Sequence, residues 1–417
     1  MDEVAVVKVL AQVDKGKEAM LALLCRLIKI PSFKNEETPV ARFLARFFKR
    51  RGYEVDLQEV EPGRLQVIAT LKGAGGGKSL MFNGHIDIDA LARGWTRDPW
   101  VPSIEGDRVY GGGSFNMKGG VTAMIAAAEA VRKSDTPLKG DIVLACVVGE
   151  LAGGEGTVHM LDRGVRTDMA VVTEPFGTDS VATVHVGIVH MAIHTYGYSR
   201  HISQLEGSID AIVKMEKITR TLRQMKMTYT PRPDLPAMPV LNVGSMIGGR
   251  GQDYDLVDPY YVSDFCTIIV DVHFVHSQTV ESIVADIRRA LAPLAAQDPD
   301  LKYEIEIPVP RGFKSSRHLV MEPFDVPQDE YIVQAVVRHH QRVAGSPPRT
   351  IGAVLPLSYS GDDTCHLWKA GIPCLIYGPG GGWDGEQEPD NYVLISEMEQ
   401  CARVLALTAL DVCNLPE

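Results

Sequence analysis

S-L-M-F-N-G-H-I-D-I-D, residues 79–89, is the stretch from which the rest of the chain can be read. An apolar run that rises into a histidine and two acids predicts a buried strand delivering polar groups at its C-terminal end. His85 and Asp87 are two residues apart, so on a strand they share a face. A carboxylate so placed orients an imidazole, as it does beside metal-ligating histidines. Downstream, G-W-T-R-D-P-W-V-P (94–102) precedes R-V-Y-G-G-G-S-F-N-M-K-G-G (108–120), a glycine-rich turn running into an Ala-rich stretch. The spacing predicts a helix over Met117–Arg132 whose start offers Asn116 to the same pocket.

Outward from this stretch the same grammar recurs. The run 140–157, G-D-I-V-L-A-C-V-V-G-E-L-A-G-G-E-G-T, predicts a buried strand ending at Glu150 in a glycine-rich turn. The run 168–175, D-M-A-V-V-T-E-P, predicts another, ending at Glu174, which makes Glu174 a pocket residue rather than a turn carboxylate. Upstream, helical spacing covers 16–30 and 37–51, with Gly52 closing the second helix; these are scaffold. Strand-like runs follow at Tyr53–Val60 and Leu65–Leu71. Between Ala182 and Pro308 the pattern is strand, helix, strand, strand, helix, strand, with helices near Ser208–Met227 and Val280–Ala295, which suggests a ferredoxin-like layer. His185, His190, His194, His273 and His276 alternate with apolar residues there and read as satisfied strand histidines. His339 and His340, on a later helix, read as solvated. A glycine approach to Asp362, a strand over I-P-C-L-I-Y-G-P-G and a closing helix over Ile395–Val412 complete the chain.

A chain of 417 residues accommodates two or three domains. Its net charge of -11 argues against nucleic acid or an anionic membrane as partner. The first residues lack a basic region followed by an apolar core, and no apolar run reaches transmembrane length. Seven scattered cysteines without a C-x-x-C fit reduced thiols and a cytoplasmic protein.

The motifs together resemble those of the co-catalytic zinc hydrolases: aminoacylase, acetylornithine deacetylase, succinyl-diaminopimelate desuccinylase and glutamate carboxypeptidase. That family has G-H-x-D, then W-x-x-D-P-F, then Y-G-R-G-x-x-D-M-K-G-G, in the order and spacing seen here. The resemblance spans essentially the whole chain. It implies an α/β fold: a mixed-sheet, metallopeptidase-like catalytic domain (1–181 and 309–417) with an inserted ferredoxin-like α+β lid and dimerisation domain (182–308). It makes Glu150 the general base and Asp87 the residue orienting His85. Gly197, His201 and Ser203 match the lid motif G-x-x-x-H-x-S, whose histidine donates to the substrate carbonyl oxygen, often across a dimer interface.

The same alignment exposes departures. The family's bridging Asp is Asn116, its second-metal Glu is Leu151, and its second-metal His is Gln387; the usual Glu before Tyr392 is Asn391. Three of the five metal ligands are thus replaced, and His85 and Glu174 remain. An amide oxygen supplies no bridging negative charge and Leu supplies no donor. The expectation is at most one ion on His85 and Glu174, with Asp384, Glu386 or Glu388 as a third ligand, or no cofactor at all. Without zinc, a buried Glu150 near Glu174 repels its neighbour, so one carboxyl of the pair is expected to have a raised pKa and to serve as an acid/base.

These readings give an amidohydrolase-like enzyme, a homodimer through its lid, acting on a C–N bond of a small molecule bearing an amide or carboxylate. Asn116, Gln387, Asp362 and Arg250 are the candidate substrate-binding residues, with Arg311 a further partner for a carboxylate. The alternatives are a non-catalytic ligand-binding relative, or a metal-free acyl- or proton-transfer enzyme.

Overall fold

The computed structural model describes residues 2–255, 259–313, 316–382 and 389–416. They divide into two compact units: Met1–His185 with Phe324–Ser358 and Asp362–Glu417, and Val186–Pro323 with Tyr359–Gly361.

The first unit is an α/β layer structure. It opens with α1 (Glu3–Lys15), α2 (Lys17–Ile28) and α3 (Thr38–Lys49), followed by β1 (Glu54–Glu61), β2 (Arg64–Leu71) and β3 (Leu80–His85). Short strands β4 (Ser103–Glu105) and β5 (Arg108–Tyr110) precede α4 (Gly119–Lys133), β6 (Ile142–Val147), α5 (Glu155–Asp162), β7 (Met169–Val172) and β8 (Ser180–His185). After the second unit the chain adds β13 (Phe324–Asp325), α8 (Tyr331–Ala344), β14 (Thr350–Ala353), α9 (Thr364–Lys369), β15 (Cys374–Ile376), β16 (Tyr392–Leu394) and α10 (Ile395–Val412). The large sheet runs β1-β2-β6-β3-β7-β15-β8-β13, with β14 also on β8, and is mixed. Its centre, β6-β3-β7-β15, is parallel and β3, β6 and β7 are buried along their whole length. Continuous apolar runs are what a sheet covered on both faces requires. Helix α4 packs so closely on this centre that a Cβ on Gly120 would fall 2.0 Å from the Thr173 carbonyl oxygen, so only glycine fits.

The second unit contains β9 (Gly187–Tyr196), α6 (Ala211–Leu222), β10 (Val240–Gly249), β11 (Phe265–Phe274), α7 (Val280–Gln297) and β12 (Lys302–Glu306). The four strands are ordered β10-β11-β9-β12 and antiparallel, the ferredoxin-like arrangement. Met191, Ile193, Ile268 and Val270 of the sheet share one core with Met215 and Ile218 of α6 and Ile283 and Ile287 of α7. Asp210 caps α6 and Thr279 with Ser282 forms a reciprocal capping box on α7.

One sequence expectation needs correction. His339 and His340 are buried, not solvated: His339 Nε2 meets Asp411 at 2.9 Å and His340 Nδ1 meets the Tyr377 hydroxyl at 3.1 Å. Helix α8 lies against α10, so a polar pair that looked like a solvated face is paired inside instead. The opening segment, to which the sequence analysis gave no element, is a full helix, α1, burying Val6, Val9 and Val13. All seven cysteines are free thiols. Among the described residues no helix is long and apolar enough to cross a membrane.

Candidate active site

Three adjacent parallel strands end on the same edge of the large sheet, and each hands over one functional group. Strand β3 ends at His85, β6 leads into a short 3-10 turn beginning at Glu150, and β7 leads to Glu174. The C-terminal edge of parallel strands is the usual site position in such sheets. One ligand atom from each of His85, Glu150 and Glu174 can be chosen so that all three lie within 4.8 Å of one another, and all three residues are buried.

His85 is fixed from both sides. Its Nδ1 donates to the backbone carbonyl of Asp87 at 2.9 Å and stands 3.6 Å from the Asp87 carboxylate. With Nδ1 holding a proton, Nε2 is the atom turned toward Asn116 Oδ1 (2.9 Å) and Glu174 Oε1 (3.4 Å). Burial works against an imidazolium here, but Glu174, Asp87 and Glu150 outweigh it and hold His85 well above the usual histidine range. Asp87 in turn accepts the backbone N–H groups of Leu151 (3.1 Å) and Glu150 (3.4 Å), which ties the Glu150 turn to the His85 strand. Burial raises the Asp87 carboxyl, yet His85, the Leu151 N–H and Arg64 together bring it below its ordinary value.

Asn116 lies in the turn Ser114–Lys118 rather than inside the helix that follows, which starts two residues later than its spacing suggested. Leu151 and Asn116 line a small cleft with Asn391, so the positions aligned with second-metal ligands do share a space. Gln387 lies outside the described residues, as do Asp384, Glu386 and Glu388.

Asp362 is buried: its Oδ1 accepts the Thr364 N–H (2.8 Å) and hydroxyl (2.6 Å), while its Oδ2 has no hydrogen-bond partner among the described residues. The same Thr364 hydroxyl meets His185 Nε2 at 2.9 Å. Its neighbour Asp363, which sequence reasoning passed over, is the more telling acid. Burial and then the charge of Glu150 push its carboxyl well above the usual carboxylate range. Asp363 stands outside the Glu150 and Glu174 pair in which the sequence placed a raised carboxyl. It reaches the Glu150 turn because Gly154, at φ +86°, has no Cβ to block it; an added Cβ would sit 2.7 Å from Asp363 Oδ1. The doubled Asp in S-G-D-D-T was the only sequence signal for it.

His201 belongs to the second unit and is exposed. The Ser203 backbone N–H donates to its Nδ1 (3.2 Å), so the neutral ring carries its proton on Nε2, as a donor. Tyr261 packs edge-on against the ring, with centroids 5.4 Å apart. Arg250, also in this unit, is exposed and lies over the Tyr261 ring at 3.9 Å; Arg311 is exposed too. Four of the five histidines read as strand residues lie on strands and have partners, with His190 and His273 flanking Asp271 at 3.3 Å each and His194 meeting Thr267 at 2.7 Å beside the His185 contact with Thr364, whereas His276 lies in the turn after β11.

The chain matches the model of peptidase family M20/M25/M40 over residues 81–411. It belongs to that family. With it comes membership of the hydrolases. This family member is 26% identical to an N-formyl-4-amino-5-aminomethyl-2-methylpyrimidine deformylase of Halalkalibacterium halodurans, over 98% of this chain and 97% of the relative. It is 24% identical to an acetylornithine deacetylase of Proteus mirabilis, covering 94% and 96%. Human carnosine dipeptidase 1 shares the fold, with a TM-score of 0.75 at 15% identity over 98% of this chain and 99% of that one.

Proposed function

We propose that this family member hydrolyses the C–N bond of a small N-acylated amine, with Glu150 as general base and His201 as donor to the carbonyl oxygen. The observation that carries this reading is the convergence of His85, Glu150 and Glu174 at one sheet edge. Whole-length relatives named as a deformylase and a deacetylase favour a short acyl group, formyl or acetyl, over a peptide.

Glu150 takes a proton from the attacking water while its oxygen bonds to the acyl carbon. Negative charge builds on the carbonyl oxygen and meets the Nε2–H of His201. Glu150 then returns the proton to the nitrogen as the C–N bond breaks, releasing amine and carboxylic acid. Asp87 holds His85 and the Glu150 turn in register throughout. Asn116 and Gln387 are assigned to substrate contact, with Arg250 and Asp362 less favoured because their observed partners are local.

The donor set fits one divalent ion. His85 and Glu174 would hold it, and when bound it would polarise the acyl carbonyl. It does not fit two in the family's manner: Leu151 has no donor atom and Asn116 is a neutral amide.

The exposed side chains of Ile202, Leu205, Tyr198 and Tyr260 near His201, and of Met246 and Ile247 on edge strand β10, support a lid domain that dimerises. The free thiols suit the cytoplasm.

Turnover of a panel of N-formyl and N-acetyl amines by the purified chain tests the reading. Release of free amine above the rate of the Glu150→Gln protein is expected. Tight binding of the same compounds without release in either protein would replace it with a non-catalytic role.

A further inference from the structure

The first unit has a second concavity, away from the His85 cluster, that the hydrolytic reading leaves unused. It runs along one stripe of α4, where Thr122, Ile125, Ala126, Glu129, Ala130 and Lys133 recur at three- and four-residue spacing. That stripe covers about 16 Å of helix. Opposite it lie the junction of α1 and α2 and the end of α3. Gly16 and Ala19 of the α1–α2 junction and Ala126 and Ala130 of α4 line this groove, all with small side chains or none. Met20, Leu23 and Phe47 make its apolar walls.

One end of the groove is strongly basic. The Glu129 carboxylate accepts from the Tyr53 hydroxyl (3.0 Å) and from Arg132 (2.8 and 3.0 Å). Arg51 stands 3.3 Å from it and Lys133 3.8 Å. Three cations around one carboxylate leave an excess of two positive charges, on a chain whose net charge is -11. Arg46, Lys49 and Arg50 of the same α3 end add to the local field. Arg51 lies over the Phe47 ring at 3.6 Å, which sets its guanidinium at the boundary of the apolar floor. The Arg51 and Lys133 side chains are 36% and 45% exposed, so each keeps donors available to a second anion.

We propose that this groove binds a medium-chain carboxylate, its hydrocarbon along α4 and its carboxylate on Arg51 and Lys133. Charge complementarity selects the head: a cationic amphiphile meets repulsion at that end. The apolar floor selects the tail, since each methylene removed from water adds to binding. A short or inorganic anion gains only the head contact.

Calorimetry on the full chain with decanoate, butyrate and decyltrimethylammonium, all below micelle-forming concentrations, decides the matter. Decanoate is expected to bind one per chain and more than about tenfold tighter than butyrate, with no saturable binding of the ammonium compound. Ala19→Trp, at an exposed position, should fill the groove and abolish decanoate binding. Lys133→Glu should weaken it roughly tenfold, the loss of one charge-assisted contact; circular dichroism establishes that both variants are folded. Equal binding of the ammonium compound, or decanoate binding untouched by both substitutions, would overturn the proposal. So would sedimentation with phosphatidylglycerol vesicles in the absence of any decanoate binding, which would make the basic end a lipid-surface contact.

Discussion

The molecule contains the same short spacing twice, once in each unit, with opposite consequences. His85 and Asp87 at the end of β3 are a His-x-Asp pair; Asp271 and His273 on β11 are an Asp-x-His pair. In the first, Asp87 takes only the Nδ1 side of the ring, and Nε2 is left facing Glu174 and Asn116. In the second, the ring nitrogens meet acceptors that belong to no carboxylate cluster: His273 Nε2 faces its own strand's Asp271 at 3.3 Å and Nδ1 donates to the Tyr359 carbonyl. His273 is accordingly held above the usual histidine range; burial opposes the charge, but Asp271 and the Tyr359 carbonyl outweigh it. Asp271, flanked by His190 as well, is held well below the usual carboxylate range against its burial. Spacing of two therefore predicts a pair, and the position along the strand predicts its use. A pair at the C-terminal end of a parallel strand opens onto chemistry, whereas one within an antiparallel strand closes on itself.

Substitutions can break this distinction, and the largest effect is expected at Glu150, the proposed base, which completes the first cluster. Glu150→Gln is nearly isosteric and should lower turnover by about 10²–10⁴ with unchanged folding; turnover equal to the unaltered protein would remove Glu150 from the reaction. His201→Ala should lower kcat by about 10²–10³ with KM little changed. If the site is shared across a dimer, mixing the Glu150→Gln and His201→Ala proteins should restore activity through hybrids. No recovery, with subunit exchange demonstrated, would place both groups in one subunit.

The two carboxylates provide the direct contrast. Asp87→Asn should lower metal affinity or activity by about 10–100-fold, as loss of an orienting partner does. Asp271→Asn should leave kcat intact and lower stability, because its cost falls on two histidines rather than on the site. Comparable activity losses in both would erase the distinction. Replacing His273 by Phe should cost about 1.5–3 kcal/mol, the scale of hydrogen bonds to a charged group. The pH dependence has a defined sign. The folded-state pKa of His273 is raised, so its stabilisation is fully present below the unfolded histidine value, near 6.5, and is lost as pH rises through the folded value. Urea unfolding across that interval should show a decline in the unaltered protein that is reduced in His273→Phe.

Much of this architecture can be read in the amino-acid order because parallel strands write themselves as apolar runs with polar ends. His85, Glu150 and Glu174 each terminate such a run, and the structure gathers them. The four-stranded layer of the second unit was equally legible from its alternation of strands and helices. Asp363 was not, because adjacent acids are equivalent on paper and only the turn at Gly154 decides which one meets Glu150. His339 and His340 misled for a related reason: helical spacing gives a face, and tertiary packing decides whether that face meets water or Asp411 and Tyr377. Helix α1 escaped notice because Val6, Val9 and Val13 are β-branched and weak as helix formers, yet they bury a continuous stripe.

On the proposed reading, this member of the peptidase family keeps the first half of a two-metal centre and lacks the second. Elemental analysis of protein purified without chelator, and dialysed against zinc or manganese, tests it most directly. At most one equivalent of tightly held divalent ion per chain is predicted, lost on Glu174→Gln. Two equivalents retained by the unaltered protein would contradict the account and require ligands other than Asn116 and Leu151 for the second ion.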